Sequence, residues 1–69
     1  MKKIAIDTNF NFLGPYYPAL SFDEVRKLNL IEGEKIIAFQ DNDEWEGIIH
    51  FDKTLPQMYQ WYIKLLFQK

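Results

Sequence analysis

Residues 34–52, EKIIAFQDNDEWEGIIHFD, constrain this chain more than any other stretch. Lys35 to Gln40 and Ile48 to Phe51 are rich in β-branched and aromatic residues, the types that suit a pleated, half-buried surface. Between them stand Asp41, Asn42, Asp43 and Glu44. Asp and Asn favour turns because their side chains bond the nearby backbone and tolerate left-handed φ. The segment therefore reads as a β-hairpin. With Asn42-Asp43 at the turn centre, Gln40 faces Trp45, Ala38 faces Gly47 and Ile36 faces Ile49. The other side then pairs Ile37 with Ile48, Phe39 with Glu46, and Lys35 with His50. Ala38 opposite Gly47 leaves a dent that a large side chain should fill, with Trp61 as the candidate. Gly47 itself weakens a strand and marks a bulge or bend.

Sixty-nine residues make one domain, residues 1–69. A chain of this size buries only about 60% of its unfolded surface, so its stability is marginal. It has no cysteine, hence neither a disulfide nor a thiolate metal site. It must rely on its apolar core or on a partner subunit. Hydrophobic residues make up 48% and aromatics 17%, enough for a core with rings left over. The formal charge of −2 argues against a nucleic-acid footprint, which wants a basic face. No apolar run approaches the roughly 18 residues of a membrane span. Asp7 interrupts the first apolar run too early for a signal peptide. A cytoplasmic protein is the expectation.

Residues 3–12 alternate, with Ile4, Ile6, Thr8, Phe10 and Phe12 on one face and polar residues or Ala5 on the other. Period two over this length predicts a strand with one wet face, kinked near Thr8-Asn9. Gly14-Pro15 and Pro18 then punctuate a loop holding Tyr16 and Tyr17. Ser21 followed three residues later by Glu24 is a capping box, and Leu20 with Val25 forms a hydrophobic staple. Both predict a helix over about residues 21–28, burying Phe22, Val25 and Leu28. Asn29 and Gly33 end it. Residues 55–68 are ambiguous. A helix capped by Thr54 would wet Trp61, Ile63 and Phe67. A strand from about Tyr59 to Phe67 places Tyr59, Trp61, Ile63, Leu65 and Phe67 on one face, and is preferred, after a single turn at residues 56–58. A short turn before a last strand is similar to the way many SH3-like barrels close, a likeness of fold that implies no function.

The fold expected is mainly β, bordering on α+β: a small four-stranded antiparallel sheet or SH3-like barrel with one short helix. Strands two to four should meander, and strand one should pair with strand two or with the last strand.

Candidate chemistry is sparse. Asp41, Asp43, Glu44 and Glu46 lie within six residues. A calcium loop needs glycine at about its sixth position and a glutamate at its end. Here Glu46 is sixth, Gly47 comes one later, and no glutamate closes the loop. An acidic turn that blocks edge pairing is the simpler reading. His50, the lone histidine, would act as a base only if a carboxylate such as Asp52 or Asp7 oriented it. Gly14 and Gly33 are isolated, so no glycine-rich phosphate cradle exists. No catalytic, metal or cofactor residue is assigned, and the chain is read as non-enzymatic.

Tyr16, Tyr17, Tyr62, Trp45 and Met58 are the apolar groups hardest to bury in this scheme. Aromatics and methionine concentrate in interface cores. The leading expectation is a small cytoplasmic interaction module whose partner is a basic protein, with an inhibitor or immunity-type protein as one concrete version. Its contact residues would be Asp41, Asp43, Glu44, Trp45, Glu46, Tyr16, Tyr17 and Tyr62. A structural homodimer is the alternative, and a nucleic-acid-binding barrel or a His50-based enzyme rank below it.

Overall fold

The computed structural model describes residues 1–69. Strand β1 is Lys3–Ala5, helix α1 Phe22–Lys27, β2 Lys35–Gln40, β3 Asp43–Phe51 and β4 Trp61–Gln68, with a 3-10 turn at Gln57–Tyr59. The strands form one sheet in the order β1-β2-β3-β4. As expected, β2, β3 and β4 meander antiparallel, and no helix is long and apolar enough to cross a membrane.

The hairpin forms with a tighter turn than the spacing predicts. Gln40 pairs with Asp43, Ala38 with Trp45 and Ile36 with Gly47. Only Asp41 and Asn42 remain in the loop, with Asp41 at φ 55°. A two-residue loop whose first residue takes left-handed φ matches the right-handed twist of the flanking strands. The register therefore moves by two residues. Because side chains alternate with period two, every residue keeps its expected face.

The sheet is mixed, not wholly antiparallel, because β1 runs parallel to β2. Parallel neighbours need a long crossover, and residues 6–34, α1 included, supply it. β1 is also much shorter than the alternation of residues 3–12 predicts. Asp7 ends it: its carboxylate accepts the Asn9 N–H at 2.9 Å and its carbonyl the Phe10 N–H at 2.9 Å. A local turn built by Asp thus overrides the periodicity. The chain then lays residues 16–20 beside β4, where the Leu20 N–H donates to Trp61 O and the Ile63 N–H to Pro18 O. Asn11 makes one bridge to Pro18. The four-stranded sheet itself stays open, so an SH3-like barrel is not established.

α1 begins as predicted. The Glu24 N–H donates to Ser21 Oγ at 3.1 Å, and the Ser21 N–H to the Glu24 carboxylate at 3.0 Å. It ends with Asn29 at φ 53°. The Leu30 N–H returns to Val25 O and the Asn29 N–H to Arg26 O, the pair of bonds that satisfies the last carbonyls of a helix. Val25 and Leu28 pack on the core, but Phe22 does not join them: it is 42% exposed. Leu20, one residue before the cap, is buried instead.

The core holds Ile4, Leu20, Leu30, Ile36, Ala38, Ile49, Ile63 and Leu65, all on one side of the sheet beneath α1. The dent at Gly47 is filled by Ile63, not by Trp61: a Cβ there would stand 2.5 Å from Ile63 Cγ2. Trp61 lies at the other end of β3, its ring tilted against Phe51 at 4.9 Å. Opposite Gly47 and Glu46 the register of β4 slips, with Gly47 facing Leu65 and Glu46 facing Phe67. Leu66 is the extra residue of this bulge. It inverts the face of Phe67, which was expected beside Leu65 and is instead 59% exposed.

Candidate interaction surface

At the hairpin end the alternation of β3 divides the expected contact residues between two faces. Trp45, opposite Ala38, points to the core side and is half-buried against the apolar cluster. Glu44 and Glu46 point to the other side, the side that also carries Ile48, His50 and Tyr62. Asp41, Asn42 and Asp43 are exposed at the tip. Glu44 is tied to Lys3 at 3.3 Å, and the Asp43 carboxylate accepts the Gln68 amide at 2.7 Å. Asp41 and Glu46 make no ion pair. Glu46 is flanked across the sheet by Ile37 and by the outward-facing Phe67. An exposed phenyl ring, rather than an exposed indole, thus stands beside Glu46.

Tyr17 and Tyr62 meet elsewhere. Tyr62 pairs with His50, five residues along β3 from Trp45, which at about 3.4 Å per residue is some 17 Å away. The His50 and Tyr62 rings lie parallel with centroids 5.4 Å apart, and Tyr17 meets Tyr62 edge-on at 6.1 Å. Burial, followed by the nearby charge of Asp52, raises the Tyr62 hydroxyl above its ordinary pKa. Tyr16 is 66% exposed. The acidic and the tyrosine groups are therefore two surfaces, not one.

Other polar groups serve the fold. Asp52 accepts both the Thr54 N–H and its hydroxyl, and the hydroxyl bond first of all holds its carboxyl below the usual carboxylate range. His50 makes no ion pair. No three His, Asp or Glu side chains are placed to hold a metal ion. The one concavity, about 390 Å³ and wide open, is lined by Phe22, Pro56, Gln57 and Met58.

Phe67 and Leu66 escaped the sequence reading because period two was carried through the end of β4. Gly47 was the available signal: a glycine within a strand marks a bulge on its own strand or in its partner.

Fold and surface together define a small mainly-β protein: an open four-stranded mixed sheet with one short helix on one side. Comparison with protein families, with characterised proteins and with solved structures finds no match for this chain.

Proposed function

We propose that the chain is a non-catalytic interaction module that binds a basic protein partner through the end of the β2–β3 hairpin. The observation that carries this reading is the pairing of the exposed Phe67 with Glu46, with Glu44 two residues along β3 on the same face of the sheet. A buried apolar anchor inside a polar rim is the usual anatomy of an interface. The carboxylates would steer a cationic partner and fix its orientation. An inhibitor or immunity-type protein that masks a basic enzyme or toxin is the concrete form we favour, in the cytoplasm. The rigid platform we infer is barrel-like, since the strip of residues 16–20 carries hydrogen bonding past β4.

The test is affinity capture from source lysate with wild type, Phe67→Ala and Asp43→Lys/Glu44→Lys. Trp45→Ala is a poor probe, because its loss disturbs the core. The expected result is one partner retained by wild type and lost by both variants, with binding that weakens as salt rises. Identical partner sets for all three proteins would remove the reading.

A further inference from the structure

The sheet has two edges, and the fold closes only one. Along β4, residues 16–20 take up the outward groups: the Leu20 N–H donates to Trp61 O, the Ile63 N–H to Pro18 O and the Leu65 N–H to Tyr16 O. β1 has a neighbour on one side alone. Facing β2, the Lys2 carbonyl accepts the Ile37 N–H and the Ile6 N–H donates to Phe39 O, with Ile4 paired to Ala38 between them. Alternate residues of a parallel strand bond to opposite sides. Lys3 and Ala5 therefore direct their N–H and C=O outward, and no other segment pairs with them. Lysines usually guard such an edge. Here both are drawn away from it. The Lys3 ammonium crosses β2 to meet Glu44 at 3.3 Å, and that of Lys2 turns to Glu34 at 3.1 Å.

We propose that this edge receives an extended segment of a partner polypeptide, which adds to the sheet as a strand beyond β1 and carries a basic residue opposite Ala5. Free backbone donors and acceptors in a row match another extended backbone, the mode by which peptides add to a sheet edge. The basic residue follows from the face beneath it. Ala5 pairs with Phe39, and Phe39 with Glu44. A long side chain opposite Ala5 thus runs over a methyl group and a half-buried ring towards a carboxylate. Strands lie about 4.8 Å apart, so three spacings, roughly 14 Å, separate its backbone from that of Glu44. An arginine and a glutamate span that gap together. A guanidinium stacks on ring faces and forks to a carboxylate. It would displace Lys3, whose pair with Glu44 is exposed and hence weak. The basic character of the occupant rests on the reading proposed above; the open edge does not.

Amide NMR titration with the acetylated and amidated peptide Thr-Val-Arg-Val-Thr tests the proposal. The Lys3 and Ala5 amide resonances should shift and saturate in the millimolar range. Glutamine in place of the arginine should weaken binding about two- to fivefold, the range of an exposed ion pair, and Glu44→Gln should erase that difference. A peptide N-methylated at the arginine cannot donate to the Ala5 carbonyl and should not bind. Ala5→Pro removes an outward N–H and leaves the ladder to β2 whole. It should keep the fold, as judged by the rest of its amide spectrum, and lose the peptide. Unmoved Lys3 and Ala5 amides, or equal binding of the N-methylated peptide, would overturn the proposal. So would a peptide-free protein that protects those amides by pairing with its own copy at twice the chain mass. In affinity capture, a partner lost with Asp43→Lys/Glu44→Lys but held at full affinity by Ala5→Pro would sink the added strand and leave the basic-partner reading standing. A peptide bound at the edge, with no partner lost by the tip variant, would do the reverse.

Discussion

Gly47 has no side chain because Ile63 occupies the space one would need. A Cβ would stand 2.5 Å from Ile63 Cγ2 and 3.3 Å from the Lys64 carbonyl. The first neighbour is core and the second is backbone, so neither yields freely. Gly47→Ala should therefore destabilise the fold by about 1–3 kcal/mol, the usual cost of overpacking. Urea unfolding measures it, and an unchanged midpoint would refute the close packing described. Strand glycines more often cost stability than protect it, and here the close approach of β4 reverses the balance. The same residue separates what was legible at this scale. A bend near Gly47 could be read from the glycine, but which neighbour filled the dent could not. Trp61 and Ile63 both lie on the core-facing side of the last strand, and only the register of β4 selects Ile63.

Among the elements, α1 was the most legible, because its limits are set by contacts within a few residues. The reciprocal bonds of Ser21 and Glu24, and Asp23 with Glu24 in the first turn, are all local. Six residues are too few to hold a helix by propensity alone, so the cap should matter. Ser21→Ala should lower stability by about 0.5–2 kcal/mol. The loss should be read as a shift in the urea midpoint with an unchanged slope. A midpoint unmoved by this change would mean that packing of Val25 and Leu28 alone holds the helix. The strands were legible in type and less so in extent. β2, β3 and β4 stand where β-branched and aromatic runs place them. β1 stops at Ala5 because Asp7 offers the backbone a turn in place of a ladder. The bulge at Leu66 is the largest miss at this scale. Periodicity assumes an unbroken ladder, and one extra residue inverts every side chain beyond it.

For the molecule as a whole, the N-terminus is fastened by a contact that spans the chain. The Lys2 ammonium meets the Glu34 carboxylate at 3.1 Å and donates to the Asn29 carbonyl at 3.0 Å, joining the first strand to the link between α1 and β2. That hydrogen bond from Lys2 is the chief reason the Glu34 carboxyl titrates below its ordinary pKa. A carboxyl lowered by folding stabilises above its unfolded pKa and loses that contribution as pH falls through the folded one. The stability advantage of wild type over Glu34→Gln should thus be full at neutral pH and fade below the ordinary glutamate range. The effect is small, since the pair is partly exposed and screened by salt. Denaturant midpoints at a series of pH values test it, and an advantage that persisted in strong acid would refute it. The sequence alone determined the hairpin, the capped helix, the final strand and which face the residues of β2, β3 and the first part of β4 take, since turn chemistry, capping and side-chain period all act within a few residues. Tertiary structure decided the parallel partner of β1, the two-residue register, the bulge that turns Phe67 outward and the laying of residues 16–20 beside β4. Each of these depends on which distant segments pack together, and a local pattern of residues is compatible with several such pairings.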